Sequence, residues 1–375
     1  MENKNVLLEY IMKELSEIEM KVYHINVQNY SINGIAKYND KKCFFKIIDE
    51  DLFIKELNGY LLSYGKLFVA KMMFVYKFKK YNKYLLIYEY DSNIKKDDGL
   101  LNDVFVRNDL IETINRKDSY HLKKVLKMYE GIYNGKKEMR NSYPSKIFFY
   151  DRVNKRLKGW YKELINNDLI IQVNNKTYSI NKIIKEIIGY YEQNIKTNYD
   201  CVLVQGDPNT LNISVSPKLF DLATAGYNPI IGELAITFIS TLIYDCYFCP
   251  KYHSSSYYMH DKAINQFGYY EPDIYIKKKN EIIIIQSNIK TSLIRKKYMH
   301  AYIEILKNNG ICISNDIKFY IFMRLLCVFN IKTMSENDYY YSLYMICYFY
   351  EKFSCRNDTY SIMEHIIDEM EVVKK

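Results

Sequence analysis

The tightest constraint on the fold lies in residues 201–221. Cys201-Val202-Leu203-Val204 is an apolar run that stops at Gln205-Gly206-Asp207-Pro208-Asn209, the pattern of a strand entering a turn. Ile213-Ser214-Val215 resumes the apolar pattern, Ser216-Pro217 turns it, and Leu219-Phe220 leads back to Asp221. The pattern predicts a hairpin with Asn212 at the start of one strand and Asp221 at the end of the other. Antiparallel pairing would bring those two side chains together and leave Asp207 on the entering loop. Asp and Asn supply the hard oxygens that Mg²⁺ prefers, and a carboxylate that is not a ligand can take a hydroxyl proton. Each of these residues is also common in ordinary turns, so the weight rests on the ordered set and not on any one of them.

That set is Gln205-Gly206-Asp207, Asn212, Phe220-Asp221 and Gly232-Glu233-Leu234-Ala235. It resembles the signature of the aminoglycoside phosphotransferase and choline kinase family. The resemblance implies an α+β, bilobal, protein-kinase-like fold with a small β-rich N-lobe and a larger, mostly helical C-lobe. The division expected here is 1–92 for nucleotide binding and 93–375 for catalysis and acceptor binding. By the same resemblance Asp207 is the catalytic base, Asn212 and Asp221 hold Mg²⁺, Glu233 braces the catalytic loop, and ATP or GTP donates the phosphoryl group. Gln205 stands where the family usually has His, and it keeps both a donor and an acceptor.

A kinase-like fold calls for a strand lysine at the nucleotide phosphates and a helix glutamate that holds it. Cys43-Phe44-Phe45-Lys46-Ile47-Ile48 reads as such a strand, and Asp51 to Tyr64 as an amphipathic helix carrying Glu56, with Glu50 as a nearby competitor. The phosphate-covering loop is expected at Tyr30-Ser31-Ile32-Asn33-Gly34, with Ser31 and Gly34 as its contacts, although it has a single glycine and the chain has no Walker-type motif. Tyr84 to Asp91 reads as the last small-lobe strand, placing Glu89 and Tyr90 at the purine hinge.

Beyond residue 93 the spacing of apolar residues predicts helices over Leu122–Tyr133, Asn154–Ile165, Ile180–Asn194, Gly232–Tyr247, Ser287–Lys307, Ile317–Val328, Tyr339–Phe353 and Tyr360–Val373. A hairpin is expected at Asp168–Tyr178 and an irregular loop at Tyr252–Tyr275. With 375 residues, 49% of them hydrophobic, the chain suits a packed two-lobed protein. The N-terminus lacks a charged-then-apolar signal pattern, so the expected location is cytoplasmic, with no membrane partner.

The eight cysteines, among them Cys43, Cys312, Cys327 and Cys347, read as reduced core residues. Cys246, Cys249, His253 and His260 are too closely spaced for a zinc finger, and buried thiols are the expectation. The net charge of +9 is spread over 53 scattered Lys and Arg residues, and 40 tyrosines accompany an Asn- and Ile-rich composition, so no nucleic-acid partner is expected. The expected partner is a small-molecule hydroxyl acceptor. A cationic acceptor is one option, for which Asp245, Glu364, Asp368 and the tyrosines are candidate contacts, and an anionic one would use lysines. The alternative is a catalytically silent kinase-like binding module, favoured by Gln205 and the glycine-poor loop.

Overall fold

The computed structural model describes residues 4–27, 31–92, 94, 99–253, 258–354 and 358–374. Its N-terminal part is a five-stranded antiparallel sheet. The strands are β1 (Lys21–Val27), β2 (Ser31–Tyr38), β3 (Lys41–Asp49), β4 (Met72–Phe78) and β5 (Lys83–Glu89), in the order β1-β2-β3-β5-β4. Alternation fixes which face each residue serves. Cys43, Phe45 and Ile47 of β3 point to one face, where they pack with Phe78, Leu85 and Ile87 beneath helix α1 (Lys4–Glu17), whose Ile11 and Leu15 are fully buried. Each such side chain contributes roughly 1.5–3 kcal/mol by leaving water.

Helix α2 (Glu50–Ser63) follows β3 directly and covers the opposite face. There Ile48, Leu86, Tyr88 and Tyr60 pack with Leu222 and Ala225 from the segment just after Asp221. This second cluster ties the small sheet to the rest of the molecule. Gly59 makes it possible, because a Cβ at that position would lie 1.8 Å from the Leu222 carbonyl oxygen.

The remainder is mostly helical around the helix Ile230–Tyr252, which is long and apolar enough to cross a membrane and whose apolar window is wholly buried. It is packed on all sides by other helices, including Ile317–Cys327, Glu336–Phe353 and Leu293–Asn308. Strand β7 (Tyr199–Val204) is central to a small sheet, between β8 (Gly226–Pro229) and β6 (Glu138–Arg140). The α+β architecture is therefore a β-rich N-terminal sheet followed by a mostly helical C-terminal part.

Several local expectations are corrected. The 213–220 hairpin is present but short: the antiparallel bridge between Ile213 and Leu219 is flanked by amide bonds from Ser214 to the Lys218 carbonyl and from Phe220 to the Asn212 carbonyl, and Leu100 and Val69 bridge to Ser214 and Leu219 from outside. Residues 31–34 lie inside β2 and not in a loop; Tyr30 falls outside the described residues. The stretch expected to be irregular contains the helix Tyr258–Phe267 and the start of a strand at Ile274. That strand, Ile274–Lys279, pairs with Ile282–Ser287, which runs parallel to Ile170–Val173 of the expected 168–178 hairpin. The run of isoleucines from Ile282 to Ile285 therefore serves a strand, and the helix expected from Ser287 begins at Leu293. The C-terminal helix ends at Glu369, and Glu371-Val372 pairs with Lys290-Thr291. Helices Lys4–Glu17 and Leu101–Asn108 were not expected from the spacing. Cys312 is exposed, unlike the other free cysteines among the described residues.

Candidate active site

The pairing of β7 with β8 pins the two ends of the 205–225 loop side by side, Val204 opposite Gly226. Gly206 turns the chain with φ +89°, and a Cβ there would meet the Thr224 carbonyl oxygen at 2.2 Å. Gln205, buried beneath the loop, joins its two halves. Its Nε2 donates to the carbonyls of Phe220 at 2.8 Å and Asp221 at 2.7 Å, and its Oε1 accepts from the Asp207 amide at 2.8 Å. A side chain with one donor group and one acceptor is what this position requires, and glutamine has both.

The Asn212 Nδ2 donates to the Asp207 carbonyl at 3.0 Å, and the Phe220 amide donates to the Asn212 carbonyl at 2.9 Å. Thr210 anchors the loop from below through its hydroxyl and amide, both donated to buried Asp245 Oδ2, at 2.6 and 3.3 Å. Asp221 adopts the left-handed conformation, φ 54°, which Asp tolerates better than most residues.

The upstream residues converge on the same place. Lys46 Nζ lies 3.1 Å from Glu56 Oε2 and 2.7 Å from Asp221 Oδ1. Glu56 is 2% exposed and also accepts from the Tyr88 hydroxyl at 3.0 Å and the Leu222 amide at 3.2 Å. Three donors and no acceptor around it form the environment of a carboxylate. Burial by itself would lower the Lys46 pKa, but Asp221 and Glu56 outweigh it and hold the ammonium above its ordinary value. Burial pushes the Glu56 carboxyl up while Lys46 opposes it; for Asp221 burial also pushes up, but Lys46 prevails and the net shift is downward. Glu50, the competitor for the lysine, instead accepts from Asn82 and Tyr84 at the sheet edge.

A cavity of about 780 Å³ opens above this pair. Ser31, Gly34, Lys46, Glu56, Glu89, Tyr90, Asn212 and Asp221 all line it, together with apolar Ile35, Phe44, Ala70, Leu211 and Leu219. Its size and its mixture of apolar walls and a few convergent charges are those of a small-ligand site. Ser31 and Gly34 reach it from within a strand. At Gly34 a Cβ would lie 2.0 Å from the His24 carbonyl oxygen, so glycine is needed there for strand packing. Two oxygens on the cavity wall suit a hard cation: the Asp221 carboxylate, half exposed, and the Asn212 amide oxygen, whose NH₂ is already committed to Asp207.

Asp207 is not in that lining. Its Oδ1 is buried without a hydrogen-bond partner, 3.6 Å from Arg324 Nη1. Burial raises its pKa, Arg324 and Arg152 pull it back, and Asp221 adds to the rise, so that the net shift is upward. Glu233 lies under Gly206, fully buried, and burial followed by the nearby Asp207 pushes its pKa to about 8. With Glu233 Oε2 unpartnered, the carboxyl is held in its neutral form near pH 7.

Of the side chains considered as contacts to a cationic acceptor, Asp245 is occupied by Thr210, while Glu364 and Asp368 pair with Lys307 and His300 on the helix Leu293–Asn308. Cys246 and Cys249 are buried in the central helix, and the His260 side chain falls outside the described residues. Sequence reasoning missed Arg324, Arg152, Tyr88 and Gly59. Only Gly59 carried a signal, as a glycine in the interior of an amphipathic helix.

No protein-family model and no curated protein matches the chain. Among solved structures, the chain is similar to aminoglycoside phosphotransferase APH(4)-Ia at 9% identity, covering 96% of this chain and 99% of that one with a TM-score of 0.45. It is also similar to APH(3'')-Id from Streptomyces rimosus ATCC10970, at 10% identity over 86% of this chain and 97% of that one, TM-score 0.45. A third is spectinomycin phosphotransferase APH(9)-Ia, at 10% identity over 96% and 98%, TM-score 0.37. Each of these three solved structures is a phosphotransferase.

Proposed function

We propose that the protein is a small-molecule kinase that transfers the γ-phosphoryl group of ATP or GTP to a hydroxyl of an acceptor. The observation that carries this reading is the convergence of Lys46, Glu56, Asp221 and Asn212, from separate elements, on one cavity of nucleotide size. In this reading residues 1–92 supply the nucleotide lobe and 93–375 the catalytic lobe, with the base of the sheet and Glu89-Tyr90 against the purine.

Lys46, held by Glu56, positions the α/β-phosphates. Asn212 and Asp221 would hold Mg²⁺, which supplies charge neutralisation at the phosphates when bound. Asp207 orients the acceptor hydroxyl and takes its proton; the hydroxyl oxygen bonds to the γ-phosphorus as the bond to the β-phosphate oxygen breaks and the nucleoside diphosphate leaves. The raised pKa of Asp207 suits proton acceptance, and its amide, fixed by Gln205, keeps the carboxylate in place. Catalysis of this kind is chiefly positioning and electrostatics.

The set of Gln205, Asp207, Asn212 and Asp221 on one loop is more than a silent binding module requires, so the enzyme reading is preferred. It is tested by nucleotide consumption in the presence of candidate acceptors. Turnover that disappears in Asp207→Asn while Mg-nucleotide affinity persists supports it, and a variant as active as the parent removes Asp207 from the base role.

A further inference from the structure

The loop bearing Asp207 meets two guanidinium groups. Arg324, on the helix Ile317–Cys327, is 6% exposed. Its Nη2 donates to Ser240 Oγ at 2.9 Å, its Nη1 stands 3.6 Å from Asp207 Oδ1, and its Nε is buried without any partner. Arg152 lies over the ring of Phe148, 3.5 Å from the centroid, and the Arg324 guanidinium lies 5.6 Å from the same ring. Among the described residues no carboxylate pairs directly with Arg152.

A buried charge is tolerated when it is paired, and here Asp207 is a carboxylate on which both arginines act. The cluster therefore carries an uncompensated positive charge beside the proposed base. Burial and then the neighbouring Arg156 and Arg324 push the Arg152 pKa down to about 9, the sign of cations crowded together. Two carboxylates near Asp207 are not free for a cationic acceptor: Asp245 is occupied by Thr210, and Glu233 is buried beneath Gly206.

We propose that the acceptor is a small hydroxyl compound bearing a phosphate or carboxylate group, which docks on Arg152 and Arg324 and so presents its hydroxyl to Asp207. Guanidinium forks match either oxyanion. This inference rests on the kinase reading for the role of Asp207, and it separates the chain from kinases that take amino sugars.

The test is calorimetry on the full chain saturated with Mg-AMP-PNP, so that the nucleotide cavity is filled, titrated with inorganic phosphate, glycerophosphate, glycerate and glucosamine. Saturable binding of at least one anion is expected, no binding of glucosamine, and roughly a tenfold or greater loss of anion affinity in Arg152→Gln with AMP-PNP affinity unchanged. Arg324→Lys, which keeps the charge and loses the fork, guards against an Arg152 effect caused by misfolding: it should weaken the anion by a smaller factor than Arg152→Gln does. Glycerophosphate against glycerate separates the phosphate from the carboxylate source. Tighter binding of glucosamine, no saturable anion binding, or anion affinity indifferent to Arg152→Gln overturns the proposal. Failure of AMP-PNP to bind overturns the kinase reading instead, and is read in the first step of the same experiment.

Discussion

The two faces of the 205–225 loop hold opposite residual charge. Toward the cavity, one ammonium, Lys46, is set against two carboxylates, Glu56 and Asp221. Away from it, one carboxylate, Asp207, is set against two guanidinium groups, Arg324 and Arg152. The cavity face carries an excess of carboxylate and the outer face an excess of guanidinium, and a ligand of opposite charge offsets each. The cavity face calls for a cation and the outer face for an anion. This contrast teaches more about ligands than the net charge of the chain does, because +9 spread over the surface says nothing of either face.

The largest effect that could break the comparison is at the residue between the faces. Asp207→Asn is expected to lower turnover by roughly 10²–10⁴-fold, measured as product formation under saturating nucleotide. The same variant removes the negative charge 3.6 Å from Arg324, so phosphate binding with AMP-PNP present should tighten. Unchanged turnover together with unchanged phosphate affinity would mean that the two faces do not meet at Asp207.

Next is the cavity face. Lys46→Met leaves Glu56 buried without its cation, which is expected to cost roughly 3–5 kcal/mol of stability in chemical denaturation. Mg-nucleotide affinity should fall with it, while phosphate binding at the outer face persists. Glu56→Gln in the Lys46→Met background should recover most of the lost stability, since the orphaned charge is gone; no recovery would show that Glu56 is not charged in the folded protein.

A smaller effect is expected from Gly59→Ala. Its Cβ would collide with the Leu222 carbonyl and push α2 away from the segment after Asp221, at a cost of roughly 1–3 kcal/mol, with weaker nucleotide binding. Gly189→Ala, in a helix with open space around its Cβ, is the matched control and should instead stabilise by roughly 0.5–1 kcal/mol. Similar melting shifts for the two would deny the tight contact.

A separate effect concerns pH. Burial and Asp207 raise the folded pKa of Glu233 to about 8, from an ordinary value of 4.5. A carboxyl so shifted binds more protons folded than unfolded, so its contribution to stability falls as pH rises from about 4.5 to about 8 and is level beyond either limit. Glu233→Gln should flatten that slope, by an amount on the order of a few kcal/mol across the window. Denaturation curves at several pH values with parallel slopes for parent and variant would refute the neutral Glu233.

The cavity face was legible in the sequence because its chemistry is written in short spacing. Asn212 and Asp221 sit on one loop, and Lys46 and Glu56 on a strand and the helix that follows it directly. Alternation of buried residues in β3 and the amphipathic spacing of α2 then fix where they point. The role of Gln205 was legible as a donor-and-acceptor requirement, but not its two carbonyl partners. The outer face was not legible, since Arg152 and Arg324 lie far apart in the chain and come together only through the packing of two helical segments around Phe148. The strand position of Ser31 and Gly34 escaped for a different reason: glycine reads as a turn residue, whereas Gly34 serves a close approach between neighbouring strands. Isoleucine runs such as Ile282–Ile285 fit a helix or a buried strand equally by periodicity, and pairing with residues far earlier in the chain decided the matter.

The most direct test is a calorimetric titration of the full chain with ATP and GTP, with and without Mg²⁺, beside Asp221→Ala. Saturable binding that needs Mg²⁺ and weakens at least roughly tenfold in the variant is the expected result. Binding that is indifferent to both Mg²⁺ and Asp221, or no binding of either nucleotide, would contradict a metal-nucleotide site at the Lys46–Glu56–Asp221 cluster.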